Sequence, residues 1–241
     1  MKKAFLNWSS GKDSAFALYT VQQENEFSIE KLVTTVNSDL DRISMHGLRK
    51  DLLLKQAENL NIPLHIIPLS GNVSMSTYNE VMEAETLKFA SEGFQYSIFG
   101  DIFLEDLKKY REGQLQETPL QPVFPLWKRD TKILMKEFLA AGFKAITVCV
   151  NAKLLDQSFC GRIIDESFLN DLPEGIDPCG ENGEFHTFVF DGPIFNKPVK
   201  FQKGEYVQRT YKQEQEEEDN CFKEKQESWD TSFWYCDLLA L

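Results

Sequence analysis

Through the first 150 residues, short β-rich runs alternate with longer helical patterns, and no other feature limits the fold of this chain as much. Apolar and β-branched runs predict strands over Ala4–Trp8, Lys31–Asn37, Leu64–Leu69, Tyr96–Gly100 and Ala145–Asn151. Apolar residues at helical spacing predict helices over Ser14–Gln23, Leu48–Leu60, Thr77–Ser91 and Thr131–Ala141. Repeated strand–helix–strand units imply an α/β fold, an open parallel sheet with helices on both faces. After about residue 172 the texture changes, with Pro173, Gly175, Pro178, Gly180, Gly183, Gly192 and Pro193 punctuating a loop-rich stretch. Beyond it, Phe185–Phe190, Val199–Phe201 and Tyr206–Tyr211 predict a smaller β-rich part, so the chain divides into residues 1–150 and 151–241. The acidic run Glu214–Asp219 reads as a solvated, mobile loop, and the apolar end Phe233–Leu239 as a strand returning to the core.

Composition narrows the function classes. The 26 Lys and Arg against 38 Asp and Glu leave a net charge of −12, which disfavours a nucleic-acid binder that works by phosphate neutralisation. No apolar run approaches the ~18 residues of a membrane span, and Met1-Lys2-Lys3 is not followed by the apolar stretch of a signal peptide. A cytoplasmic protein is therefore expected. The 5 cysteines are widely spaced with no Cys-x-x-Cys pair, so they read as reduced thiols.

The most informative motif is Ser9-Ser10-Gly11-Lys12-Asp13-Ser14, set between the first strand and the first helix. A helix N-terminus offers unpaired N–H groups and a positive dipole end, and small residues let a phosphate approach closely. Gly11 permits the turn, Lys12 brings charge, and the Ser9, Ser10 and Ser14 hydroxyls can bond phosphate oxygens. The Walker pattern does not fit: Leu6 stands where its first Gly belongs, and Asp13 follows the Lys. Replacing Lys12 or Asp13 is thus expected to weaken nucleotide binding with little change in thermal stability. Further along, Gly175-Ile176-Asp177-Pro178-Cys179-Gly180-Glu181-Asn182-Gly183-Glu184-Phe185-His186-Thr187 holds charged groups between turn residues. It can orient an amine, bind magnesium or move protons; it can equally be a turn leading into a strand. Cys179 and His186 lack the two further ligands of a zinc site.

The first motif resembles the Ser-Gly-Gly-Lys-Asp-Ser pyrophosphate loop of N-type ATP pyrophosphatases, with Ser10 in place of the first Gly. Phe99-Gly100-Asp101-Ile102, Glu105-Asp106, Tyr110-Arg111-Glu112 and Phe124-Pro125-Leu126-Trp127 follow in order before the Glu-Asn-Gly-Glu-Phe-His-Thr segment. Together they resemble the diphthine–ammonia ligase family of that group, from Lys3 to about Pro193. Family members often read Glu-Gly-Gly-Glu-Phe-Glu-Thr where this chain has Asn182 and His186. The resemblance implies a HUP-like pyrophosphate-loop (PP-loop) fold and an adenylating amide ligase: ATP is cleaved to AMP and pyrophosphate, a carboxylate is activated, and ammonia displaces AMP.

On that reading ATP and Mg2+ are the cofactors. Ser9, Ser10, Gly11, Lys12, Asp13, Ser14, Asn37, Gly100 and Asp101 bind the nucleotide, Asp13 contacts the metal, and Lys12, Asp13, Glu181, Glu184 and His186 are catalytic. Glu184→Gln is expected to spare nucleotide affinity and cut amide formation. Asn37 and Asp101 end strands, where ligands of open α/β sheets bind. His46, just before the second helix, is a further candidate proton carrier, while Glu105 and Asp106 suit a helix start. The expected partners are ATP, ammonia and a carboxylate acceptor (protein side chain or small molecule); a homodimer is allowed, membrane and nucleic acid are not expected. Two other readings share the loop, a sulfur-transferring tRNA-modifying enzyme and a non-catalytic ATP-binding sensor.

Overall fold

The structure is a computed structural model that describes residues 1–43, 47–212 and 230–241. His46 and the acidic run Glu214–Asp219 lie outside them. In chain order the elements are β1 (Lys2–Asn7), α1 (Lys12–Glu24), β2 (Phe27–Asn37), β3 (Arg42–Ile43), α2 (Lys50–Leu60), β4 (Leu64–Leu69), α3 (Met75–Ser91), β5 (Tyr96–Ile98), α4 (Glu105–Leu115), β6 (Gln121–Val123), α5 (Thr131–Ala140), β7 (Lys144–Asn151), a short 3-10 turn Gln157–Phe159, α6 (Glu166–Asp171), β8 (Phe185–Asp191), β9 (Phe201–Lys212) and β10 (Asp230–Ala240).

The first sheet runs β4-β2-β1-β5-β6, every neighbour parallel, with the short β3 antiparallel against the end of β2. Strand periodicity splits its side chains between two cores. Ala4 and Leu6 of β1 join Leu32 of β2 and the apolar residues of α1, α2 and α5. Phe5 and Val33 point the other way, into a smaller cluster with Phe89 of α3, Phe94 and Leu115 of α4. Helices therefore cover both faces, as the alternation implied. α3 starts where Ser74 accepts a hydrogen bond from the Thr77 N–H, and α5 where Asp130 accepts one from Ile133, each satisfying a donor the helix cannot.

Two strand readings are corrected. The run at Ala145–Asn151 was expected in the parallel series, yet β7 belongs to a second, antiparallel sheet of order β8-β7-β10-β9. It is buried on both faces, so its composition suits a central strand of either kind of sheet. Its partners, 34 or more positions later, decide which. The short runs at Val199–Phe201 and Tyr206–Tyr211 are not separate strands: Phe201–Lys212 is one strand, β9, paired along its length with β10. The apolar C-terminal run does return to the core, as β10, between β7 and β9.

The two sheets are tied at one corner. Asp237 of β10 accepts from Arg49 Nε and Nη2 at 3.1 and 2.7 Å and from Arg42 Nη1 at 3.0 Å. The two guanidinium groups hold its carboxyl below the usual range despite burial. Among the described residues, no helix is long and apolar enough to cross a membrane.

Candidate functional site

β1 and β5 are the neighbours at which strand order reverses, and ligands of open α/β sheets bind beyond the carboxyl ends at such a point. The Ser9–Ser14 loop leaves β1 there. Two of its three hydroxyls are used within the loop: Ser14 donates to the Gly11 carbonyl at 3.0 Å, the Ser9 and Ser14 hydroxyls lie 3.1 Å apart, and Ser9 Oγ accepts from the Gly11 N–H. These two serines shape the loop. Gly100, just past β5, packs directly on it. A Cβ at residue 100 would meet the Asp13 carbonyl carbon at 2.8 Å and the Ser14 nitrogen at 2.9 Å, so only glycine allows this approach.

The second sheet clamps the loop from beneath. The Ser10 carbonyl accepts from the Val189 N–H at 3.0 Å and from Gln56 Nε2 at 3.1 Å. Gln56 also donates to the Val189 carbonyl and accepts from the Trp8 indole at 3.0 Å. The Lys12 N–H donates to Thr187 Oγ1 at 3.0 Å. Ser10 itself sits at φ 69°, the left-handed region, with its hydroxyl buried and unbonded. Ser10→Gly should therefore stabilise the protein by about 1 kcal/mol, from relieved backbone strain and a removed orphan hydroxyl offset by glycine's entropy. In a 241-residue chain that raises the melting temperature by roughly 2–4 °C. A fall in scanning calorimetry would contradict the strain argument.

Above the loop, Lys12 faces Asp13 and Glu181, and Asp101 and Asp177 act on Asp13. Lys12 is 2% exposed, and its ammonium donates to Asp13 Oδ1 at 2.6 Å and lies 5.9 Å from the Phe185 ring. Burial works against its charge, but Asp13, Cys179 and Glu181 outweigh burial and hold it charged, above the ordinary lysine value. Burial pushes Asp13 up, against the pull of Lys12, and Asp177 adds to the push. Burial also raises Asp101, which Arg111 at 3.9 Å only partly offsets. Glu181 is lifted to about 7, by burial first and the Asp13 charge second, although the Ile102 N–H donates to it at 2.9 Å. His186 is lowered to about 4 by burial and the nearby Lys12 charge, so its ring is neutral at neutral pH.

The two motif glutamates differ in surroundings. Glu184 is 2% exposed, and its carboxylate accepts from the Asp177 N–H at 3.0 Å, the Asn182 N–H at 2.8 Å and Asn182 Nδ2 at 3.1 Å. It holds the turn together. Glu181 is the one that turn presents to Lys12 and Asp13. Asn37 is not drawn into this cluster: its carboxamide oxygen accepts from the Asp39 and Leu40 N–H groups and closes the turn after β2. Asp177 and Thr187, quoted within the second motif without a role of their own, belong to the site, as does Gln56, which the sequence reading did not single out. Gln56 is detectable as a polar residue at helical spacing from Leu52, Leu53 and Leu60 on the apolar stripe of α2, where it is fully buried. No group of three metal-ligating side chains is preformed among the described residues. The excess of carboxylates over the single lysine fits a hard cation shared with phosphates, the usual way magnesium is held.

The model of the diphthamide synthase N-terminal domain matches residues 1–120, and that of its C-terminal domain residues 130–236. The diphthine–ammonia ligase of Danio rerio is 34% identical over 220 residues, 83% of this chain and 86% of that protein. That of Schizosaccharomyces pombe is 32% identical over 225 residues, 84% of this chain but 36% of a longer protein. The Mus musculus enzyme is 34% identical over 110 residues, 42% of this chain and 41% of the relative. A solved tRNA thiolase of Methanococcus maripaludis overlaps 58% of the chain and 56% of its own at 18% identity and a TM-score of 0.37, too low to bear on function. With both domain models matched in order and one relative aligned over most of its length, the chain belongs to the diphthine–ammonia ligase family.

Proposed function

We propose that the protein is an ATP-dependent ligase that joins ammonia to a carboxylate, with diphthine, named for its relatives, as the acceptor. The observation that carries this reading is the grouping of the buried Lys12 with Asp13, Asp101 and Glu181 at the first turn of α1, beyond the β1 and β5 ends. ATP lies with its phosphates on the backbone of residues 9–14. A carboxylate oxygen of the acceptor attacks the α-phosphorus, the α–β bridging bond breaks, and pyrophosphate leaves. Lys12 offsets the charge that develops on the leaving group. Asp13, with Asp101 beside it, would hold magnesium, whose charge supports the same departure when bound.

In the second half-reaction the nitrogen lone pair of ammonia attacks the acyl carbon and AMP leaves with its oxygen. Ammonium must first lose a proton, and Glu181, with a pKa of about 7, is suited to accept it. His186, uncharged at neutral pH, lines the site as a neutral ring beside Lys12. Glu184 keeps the Asp177–Glu184 turn in shape. Ion-exchange analysis of the nucleotide products with ammonium and acceptor present should show AMP and pyrophosphate in equal amounts. ADP and orthophosphate without AMP would overturn the reading.

A further inference from the structure

On the face of the first sheet opposite α1, between the strands and helices α3 and α4, lies a cavity of about 380 Å³. That is within the range of small-molecule sites. It reaches the carboxyl ends of the strands that carry the phosphate loop. Asn7, the last residue of β1, lines it, as does Phe99, the residue before the glycine packed on Asp13. The cavity and the nucleotide loop therefore share the β1 and β5 ends as a common wall.

Its chemistry centres on Arg111. The guanidinium lies 5.2 Å from the Phe99 ring centroid, which fixes its plane. Its Nε is buried without a hydrogen-bond partner, and the facing oxygen of Asp101, 3.9 Å away, is likewise unbonded. A buried donor left unmade is costly, and a planar carboxylate is the group that best satisfies a guanidinium edge. A polar relay also lines the cavity and joins α4 to α3: Tyr110 Oη donates to Asn79 Oδ1 at 2.8 Å and accepts from Gln114 Nε2 at 2.8 Å. Phe5 and Met82 supply apolar surface, and the exposed Glu83 and Glu117 also line the cavity.

The geometry points to this cavity as the site of the carboxylate-bearing acceptor: an organic group with an apolar stem and one carboxylate, anchored by Arg111. The inference rests on the ligase reading, which needs a carboxylate delivered to the strand ends where the α-phosphate lies. Its own test does not depend on turnover. Phenylacetate and phenylacetamide share a shape and differ in charge, and ligand-observed NMR reads the binding of each. The wild type should bind phenylacetate in the millimolar range and at least about tenfold more tightly than the amide. Arg111→Gln should bring the two within about twofold of each other. Gly113→Trp, at a lining position with open space around a Cβ, should exclude both.

No phenylacetate binding to the wild type, no preference over the amide, or undiminished binding in Gly113→Trp overturns the inference, even where Arg111→Gln fails to fold. If the nucleotide product is ADP, the ligase reading falls while the NMR result still decides whether the cavity holds a carboxylate.

Discussion

Lys12→Met should abolish measurable ATP binding in calorimetry and also lower the melting temperature. The buried ammonium is the only charge paired with Asp13 at hydrogen-bond distance among the described residues. Removing it strands a carboxylate that burial already disfavours. Breaking a buried pair from one side costs about 3 kcal/mol or more, which is roughly 6–12 °C in a chain of this size. The loop motif alone suggested that Lys12 could be replaced at little cost to stability; its 2% exposure argues otherwise. The companion Lys12→Met/Asp13→Asn removes both charges and should recover most of the lost stability while ATP binding stays absent. Recovery of binding together with stability would mean that Lys12 serves folding alone.

Glu181→Gln should cut amide formation by about 10²-fold, the usual scale for losing an acid–base group, with ATP affinity near that of the wild type. It should also remove a rise in rate centred near pH 7, since Glu181 has a pKa of about 7. Stability moves in the other direction. The folded value lies above the ordinary 4.5, so Glu181 favours folding below about pH 4.5 and loses that contribution as pH rises through 7. Glutamine has no proton to lose. At pH 8 and without nucleotide, Glu181→Gln should therefore be the more stable protein by about 1–2 kcal/mol, allowing for solvent screening, and no different near pH 4. Glu184→Gln is the control: it turns an amide N–H toward donors that need an acceptor, costing about 1–3 kcal/mol at every pH. If Glu184→Gln abolishes the chemistry with unchanged stability and Glu181→Gln does not, the two assignments exchange.

Local pattern made much of this legible. The parallel strands β1, β2, β4 and β5 and the helices between them follow from alternation, and the loop at 9–14 from its place between strand and helix. Long-range pairing was not legible. β7 reads as one more strand of the series because its sequence records burial and says nothing of the neighbour that buries it. The strand β6, Gln121–Val123, is three residues long and includes a proline, too short for a periodic signal. At the site, residue types showed where carboxylates gather. They could not show that Glu184 spends its oxygens on its own turn while Glu181 faces the lysine, because that depends on how Gly180 and Gly183 bend the backbone at φ 68° and 83°. Gln56 and Thr187 act on the loop across 46 and 175 positions, a relation no short window contains.

The clamp beneath the loop also sets an order of events on the ribosome. β1 and α1 are made first, but the bond from the Lys12 N–H to Thr187 waits for β8, and the sheet that carries β8 is completed only when β10 slots between β7 and β9. Contacts of such sequence separation form late, after the local ones. A nascent chain stalled before residue 230 thus exposes the 9–14 loop with no finished support. The support beneath the loop is complete only once β10 has emerged.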